Sequence, residues 1–288
     1  METETFTVGF IGGGNMAHSI IGGLIPEVLS SKSIYVFDPN AEQLQNLAKE
    51  FDITPCHDNH ELVAQSDVIV IAVKPQVMSK VLTPISHDIA DKKPLLISVA
   101  AGISCELINT IIQEQAPTAN VAVIRVMPNT PALVKAGASG LFANEYTNAK
   151  QKSIAETLMK AVGSALWVNQ ETDIDAVTAL SGSGPAYFML FVQSLIDSAT
   201  KAGLNHDVAK QLAIDTCAGS AKLMQSSELS IEQLIKNVTS PRGTTEQALL
   251  SFQSQQLPNI IDTAFNAALN RSIELGEELK SNELKIIE

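Results

Sequence analysis

The sequence predicts an α/β protein in two parts, a parallel-sheet domain over 1–168 followed by an all-α domain over 169–288. Three observations carry this prediction. Short runs rich in Val, Ile and Phe alternate with helical segments through the first part, and such repetition builds right-handed crossovers onto a parallel sheet. Several of these runs are apolar throughout rather than alternating, as expected of strands covered on both faces. From Asp173 onward no strand run remains, only helical patterns with short breaks.

The strands read as Thr5–Ile11, Ile34–Asp38, Val68–Val73, Leu95–Val99 and Val121–Val126, with helices near 15–30, 41–51, 59–66, 76–88 and 104–115 between them. Ser104, with Glu106 and Leu107 behind it, is a candidate N-cap for the last helix. Leu141–Ala143 and Leu166–Val168 add edge strands around a helix at 150–162. In the second part the breaks fall at Gly182–Gly184, Gly203–Asn205, Ser226–Glu228 and Ser240–Gly243. Pro185 then stands in the first turn of a helix, where its missing N–H is no loss. Ala186–Ile196 is apolar nearly all round, so that helix has to be enclosed on every side. A lone helical domain of this size offers few such places, which predicts a dimer of interlocking helices.

Composition removes whole classes of partner. The 288 residues carry 19 Lys and Arg against 31 Asp and Glu, a formal net charge of −12, and both parts are acidic. Neither holds a basic patch, so nucleic-acid phosphates and anionic membrane surfaces find nothing to bind. Charged residues make up 17%, below the roughly 25% of an average chain, which favours an ordered protein that buries surface against another copy of itself. The opening METETFTVGF does not read as a signal peptide. The longest clean apolar run, Val68–Val73, is far short of the roughly 20 residues that span a bilayer. Cys56, Cys105 and Cys217 fit no metal or redox spacing and read as free, mostly buried thiols in a reducing compartment. The expectation is a cytoplasmic protein without a metal.

The motifs that carry chemistry begin at the turn out of the first strand. Gly12-Gly13-Gly14-Asn15-Met16-Ala17 fits G-x-G-x-x-G/A, in which glycines let the backbone approach a pyrophosphate seated on the helix N-terminus. A glycine cluster alone makes only a turn. Its place after Thr5–Ile11 and before an apolar-periodic helix makes it a dinucleotide-binding loop and the domain Rossmann-type. Asp38 closes the second strand, where an acid that accepts the ribose hydroxyls is expected. A carboxylate there repels a 2′-phosphate, and no Lys or Arg follows until Lys49, which leans towards NADH. The other reading of Asp38 is a helix cap facing solvent.

Ala72-Val73-Lys74-Pro75-Gln76 and Met127-Pro128-Asn129-Thr130-Pro131 leave the carboxyl ends of strands, the edge at which open α/β sheets bind ligands. Turn chemistry alone accounts for the prolines equally well, and the shared edge favours the lining of a nicotinamide pocket. Val238-Thr239-Ser240-Pro241-Arg242-Gly243-Thr244-Thr245 runs into a helical Glu246–Phe252. Consecutive hydroxyls and N–H groups at a helix start suit a small anion such as a carboxylate, although an ordinary cap has the same spacing. His57 and His60 lack a zinc pattern and read as surface residues. Gly182-Ser183-Gly184 lacks the outer glycines of a nucleophile elbow, and no phosphate loop ending in Gly-Lys-Ser/Thr occurs, so no hydrolase is apparent.

Taken in order, Gly9–Ala17, Ala72–Gln76, Arg125–Pro131, Leu180–Tyr187 and Thr239–Thr245 resemble the pyrroline-5-carboxylate reductases, which catalyse the last step of proline biosynthesis. The first piece is shared by many Rossmann enzymes, whereas the last three together are specific. The resemblance implies a Rossmann-type domain followed by an all-α dimerisation domain, an interlocked homodimer, and a ring of dimers in some members. It implies NADPH or NADH held by Gly12, Gly13, Gly14, Asn15, Met16, Asp38, Asn59, Ala72, Val73, Lys74, Pro75, Ala100 and Asn129, with Asn59 beside the adenosine ribose. It further implies that N–H groups of the 239–245 loop grip the carboxylate of 1-pyrroline-5-carboxylate. Val238, Ser240, Gly243, Thr244 and Thr245 are then the substrate residues, with Thr245 near the ring nitrogen as the catalytic one.

Two departures matter. The family has a small residue, usually glycine, where this chain has Arg242, and arginine adopts positive φ less cheaply. Either the loop keeps to ordinary angles or the pocket is altered. Family members that use NADPH often carry a small polar or basic residue where Asp38 stands. The expected reaction is hydride transfer to the imine carbon, with Thr245 orienting the ring nitrogen. One alternative is a reductase of a different imine or β-hydroxyacid, whose catalytic lysine would be sought among Lys201, Lys210 and Lys222. The other is a non-catalytic dinucleotide-sensing regulator, for which Arg242 is the argument. In each case the net charge opposes anionic ligands, so the helix end at Gly12–Ala17, the 239–245 amides and Arg242 have to reverse it locally.

Overall fold

The structure, a computed structural model, describes residues 6–287. The chain divides into two compact units, 1–183 with 268–288, and 184–267. The first unit starts with β1 (Val8–Ile11), α1 (Asn15–Glu27), β2 (Ile34–Phe37), α2 (Ala41–Phe51), β3 (Thr54–Pro55), α3 (Asn59–Gln65) and β4 (Val68–Ile71). It continues with α4 (Met78–Leu82), α5 (Ser86–Lys92), β5 (Leu95–Ser98), α6 (Cys105–Gln115), β6 (Val123–Met127) and β7 (Gly137–Ala143). Last come α7 (Ala149–Lys160), β8 (Gly163–Trp167) and α8 (Asp173–Val177).

The eight strands form one sheet in the order β3-β2-β1-β4-β5-β6-β7-β8. Every neighbouring pair is parallel except β6 with β7. The unbroken apolar runs follow from helices on both faces. Val68 and Val70 enter one core with α1, α2 and α7, while Ile69 and Ile71 enter the other with α3 to α6. Period-2 alternation therefore exists, but between two cores rather than between core and water. The order of the chain reverses at β1, which has β2 on one side and β4 on the other, and ligands bind at such a switch point.

Several elements differ from expectation, each for a local reason. The helix near 76–88 is two helices, α4 and α5, because Pro84 sits in a 3₁₀ turn between them. Val121 stands outside β6: its N–H donates to Asn109 Oδ1 at 3.1 Å and its carbonyl accepts Asn144 Nδ2 at 2.9 Å, so side chains replace a strand partner. Thr7 precedes β1 because its N–H is taken by Asp67 Oδ2 at 3.0 Å, and Thr5 lies outside the described residues. Ser104 does cap α6, its hydroxyl accepting the Leu107 N–H at 3.1 Å.

The two compact units part at Ser183/Gly184, downstream of the expected 168/169. The reason is α8, which packs on β7 and β6. Arg125 on β6, nearly buried, pairs with Glu171 at 3.4 Å and with Asp175 of α8 at 3.9 Å. Glu171 also accepts the Cys105 N–H at 2.7 Å, which ties the start of α6 into the same network.

The second unit holds α9 (Gly184–Lys201), α10 (His206–Ser226), α11 (Ile231–Asn237), α12 (Thr244–Ser254) and the first part of α13 (Leu257–Ile287). Pro185 lies in the first turn of α9, and the expected breaks at Gly203–Asn205 and Ser226–Glu228 separate the helices. An unexpected break at Gln255–Gln256 parts α12 from α13, with Gln256 in the left-handed region at φ 55°. Phe191 of α9 meets Phe252 of α12 with ring centroids 6.2 Å apart. The rest of the apolar belt on α9 is open in the single chain: Phe188, Met189 and Leu190 are 66%, 65% and 70% exposed. Among the described residues one helical stretch, Asp173–Lys201, is long and apolar enough by composition to cross a membrane, with mean hydropathy 1.2.

Candidate active site

Loops leave the carboxyl edge of the parallel strands of the first unit after β1, β2, β4, β5 and β6. The loop after β1 is shaped by two contacts. Gly12 has φ +96°, and a Cβ there would fall 2.8 Å from the Ala72 carbonyl oxygen, so the first loop lies against the 72–75 loop as only glycine allows. Gly13 donates its N–H to Asp38 Oδ2 at 2.7 Å. Gly14 is the N-cap of α1, offers no side-chain cap, and has nothing within 4 Å of the position of a Cβ. The first-turn amides of Asn15 and Met16 are therefore open at a helix N-terminus, and the backbone beside them is uncovered, the arrangement a pyrophosphate needs.

Asp38 half-buried at the end of β2 is not the cap of α2. That role belongs to Asn40, whose Oδ1 accepts the N–H groups of Glu42 and Gln43. Asp38 Oδ1 instead accepts the Asn40 N–H at 2.8 Å. Asn59, at the start of α3, has a buried Oδ1 with no hydrogen-bond partner among the described residues. A buried acceptor left without a donor is costly unless a ligand supplies one, and a ribose hydroxyl would. The residues present thus fit a dinucleotide at the pyrophosphate and at the ribose.

The remaining candidates divide by use. Lys74 and Pro75 form the start of a 3₁₀ turn after Ala72 and Val73, at the β4 edge. Ala100 is buried beyond the end of β5. Asn129 is committed to the protein itself: Nδ2 donates to the Ser181 carbonyl at 3.0 Å and Oδ1 accepts the Ala138 N–H at 2.9 Å. Sequence reading placed it on the cofactor. Its side chain joins the Met127–Pro131 loop to a π-helical turn at Thr178–Gly182, and a π turn inside a helix often marks a functional site.

In the second unit, Gly243 is the N-cap of α12 and again supplies no side-chain cap. A Cβ on Gly243 would fall 2.9 Å from the Ser240 carbonyl oxygen, so no other residue fits without moving the loop. Arg242 sits at φ 61°, and its N–H donates to Glu246 Oε2 at 2.7 Å. The loop therefore keeps a left-handed, glycine-type conformation despite the arginine, at a cost of about 1 kcal/mol. The amides are not all available. Val238, Thr239 and Gly243 donate to Ile235, Lys236 and Ser240 carbonyls, and Arg242 to Glu246. That leaves the Ser240 N–H and the first-turn amides of Thr244, Thr245 and Glu246, which the helix cannot pair. Thr245 is half-buried, whereas Val238, Ser240 and Thr244 are exposed.

The histidines outside these loops are held on the surface: the His57 N–H donates to Glu61 and His60 lies 2.5 Å from Asp88. The three thiols are unpaired. Burial, helped by Glu61 and Asp58, pushes Cys56 up to about 11, and burial also raises Cys105.

Comparison with known proteins completes the picture. A family model described as "Pyrroline-5-carboxylate reductase dimerisation" matches residues 171–275, and one described as "NADP oxidoreductase coenzyme F420-dependent" matches 7–102. A pyrroline-5-carboxylate reductase of Pseudomonas aeruginosa is 44% identical over 96% of this chain and 99% of its own. The solved pyrroline-5-carboxylate reductase of Coxiella burnetii has a TM-score of 0.88 and 38% identity, covering 94% of this chain and 99% of that one. The Plasmodium falciparum pyrroline carboxylate reductase, solved with NADP bound, has a TM-score of 0.79 and 29% identity, covering 95% and 99%. A glycine loop fit for a dinucleotide, a bare helix start fit for a carboxylate and likeness from end to end agree: the chain belongs to the pyrroline-5-carboxylate reductase family.

Proposed function

We propose that the protein reduces L-1-pyrroline-5-carboxylate to L-proline, with NADH or NADPH as the hydride donor. Beside the family likeness, the observation that carries this reading is the bare start of α12. The unpaired first-turn amides of Thr244, Thr245 and Glu246 stand beside the hydroxyls of Thr244 and Thr245, with no side-chain cap in their way. Such an end binds a small carboxylate, and an adjacent hydroxyl can reach a ring nitrogen next to it.

When bound, the reduced nicotinamide supplies a hydride to the imine carbon while the C=N electron pair passes to the nitrogen, which holds the proton. The chain supplies position. The amides at Asn15 and Met16 hold the pyrophosphate, Asp38 and Asn59 the ribose, and the Ala72–Pro75 loop and Ala100 border the cofactor. Asn129 acts through the loop it fixes. The Thr245 hydroxyl can donate to a neutral imine or accept from a protonated one, so it orients the ring in either state. A hydroxyl is a poor acid at neutral pH, so the proton enters from water or with the substrate.

The same reading places a second copy over the open apolar face of α9, as a homodimer, and dimers can close further into a ring. The apolar composition of Asp173–Lys201 then belongs to an interface between subunits rather than to a bilayer. Three unpaired thiols suit a cytoplasmic protein. The regulator reading rested on Arg242, and the glycine-type angle of that residue removes its support.

The test is direct. Purified protein with 1-pyrroline-5-carboxylate and NADH or NADPH should oxidise the dinucleotide, read as falling absorbance at 340 nm. No change with either dinucleotide sinks the reductase reading. Sedimentation should give at least twice the chain mass of 30.7 kDa, and a monomer at micromolar concentration would exclude the dimer.

A further inference from the structure

We infer that this enzyme selects NADH over NADPH, and that a clamped Asp38 carboxylate makes the selection; the inference rests on the reductase reading above. The carboxylate is fixed at both oxygens. Gly13 donates to Oδ2 at 2.7 Å and Asn40 donates to Oδ1 at 2.8 Å, so one donor comes from the pyrophosphate loop and the other from the start of α2. Hydrogen bonds from backbone amides to an ionised acceptor are among the stronger ones, and rotating the carboxylate aside would break both.

Both donors line a cavity of about 340 Å³ between α1 and α2. Its other polar walls are Asn15, His18, Glu42, Gln43, Asn46 and Glu50, and among the described residues no Lys or Arg lines it. His18 Nε2 lies 3.0 Å from both Glu50 oxygens, so the imidazole in the wall is already engaged by a carboxylate. Lys49, the first cation after Asp38 in the sequence, is exposed and not part of this wall.

The two cofactors differ here by one group. A ribose 2′-hydroxyl can donate to a fixed carboxylate, whose oxygens have lone pairs to spare beyond one amide each. A 2′-phosphate brings acceptors and negative charge towards Asp38, Glu42 and Glu50, with no cation to receive it. Asp38 does a second thing as well. Its clamp on Gly13 sets the loop on which the pyrophosphate lies, so charge and loop order reside in one side chain. Asp38→Asn separates them, because its amide oxygen can still accept the Gly13 N–H, at the loss of the Asn40 bond, while the charge is gone. Asp38→Ser removes both.

The experiment is calorimetric titration of the purified enzyme with NADH and with NADPH, without substrate. NADH should bind at least tenfold more tightly than NADPH. Asp38→Asn should narrow that ratio at least fivefold, through tighter NADPH, and Asp38→Ser should also weaken NADH. Glu42→Lys, on the exposed start of α2, should tighten NADPH with NADH unchanged, a reading that survives if the Asp38 variants do not fold. Equal or tighter NADPH binding by the native enzyme overturns the inference and leaves the reductase reading standing, as does a ratio unmoved by both Asp38→Asn and Glu42→Lys. Binding of neither dinucleotide overturns both.

Discussion

The Asn129 side chain donates from Nδ2 to the Ser181 carbonyl at 3.0 Å, joining two loops that lie 52 residues apart in sequence. Its Oδ1 holds the Ala138 N–H at 2.9 Å in the same posture. Asn129→Ala leaves a partly buried donor, the Ala138 N–H, and a partly buried acceptor, the Ser181 carbonyl, without partners, at about 1 kcal/mol each. Unfolding in urea should show a loss of about 2 kcal/mol. A loss below about 0.5 kcal/mol would mean that water replaces the side chain at no cost.

Arg242 holds a left-handed angle that glycine adopts freely. Arg242→Gly should raise stability by about 1 kcal/mol, offset in part by the greater freedom of glycine in the unfolded chain. The same change removes a cation from the loop proposed to receive the substrate carboxylate, in a chain of net charge −12. The kcat/KM of the variant should therefore depend less steeply on ionic strength than that of the native enzyme. Identical salt slopes would remove Arg242 from substrate capture.

In the proposed reaction the Thr245 hydroxyl orients the ring nitrogen. Thr245→Val should lower kcat at least tenfold with little change in KM, and Thr245→Ser should restore most of the loss. Equal kinetics for all three would take Thr245 out of the reaction.

Arg125 faces both Glu171 and Asp175 from a nearly buried position. Arg125→Met should cost about 3 kcal/mol, because it leaves two partly buried carboxylates without their cation. Double substitution with Glu171→Gln should cost less than the sum of the single changes. Strict additivity would show that the two side chains are independent.

The Cys56 thiol is pushed from 9.0 to about 11, mainly by burial and then by Glu61 and Asp58. A raised value in the folded state favours the protonated thiol there. Below pH 9 both states are protonated and the contribution to stability is complete; as pH rises from 9 towards 11 the unfolded chain ionises first and the contribution is lost. Stability should fall over that window, and less so in Cys56→Ala. At pH 8 iodoacetamide should leave Cys56 and Cys105 unmodified until the protein is unfolded, as mass spectrometry of digests would show.

Much of the sheet was legible because its strands are buried on both faces, so composition alone marks them. The ends of strands were not, since Val121 is held by side chains and the Thr7 N–H goes to Asp67 while only its carbonyl reaches β4. The short β3, a Thr-Pro pair at the sheet edge, has no run to betray it. The glycine loop and the 239–245 loop were visible as motifs. Which of their amides are already used was not visible, because that depends on Asp38, Glu246 and carbonyls placed by folding. The clamp between Gly13 and Asp38 links residues 25 apart, and no spacing rule announces it.

The return of α13 to the first unit gives the chain a temporal order. Ser272 donates to Asp175 at 2.8 Å, and Leu279 is buried against the core that contains α6. The two halves of the Ser272–Asp175 bond are 97 residues apart. At the pace of a translating ribosome that interval is roughly 5–20 s, during which the sheet lacks its closing piece. The inserted helical unit emerges within this interval, before the first unit can be completed. Residues that emerge after the inserted unit therefore act as a lock on the domain made before it, and a chain cut short before Ser272 would leave that lock open.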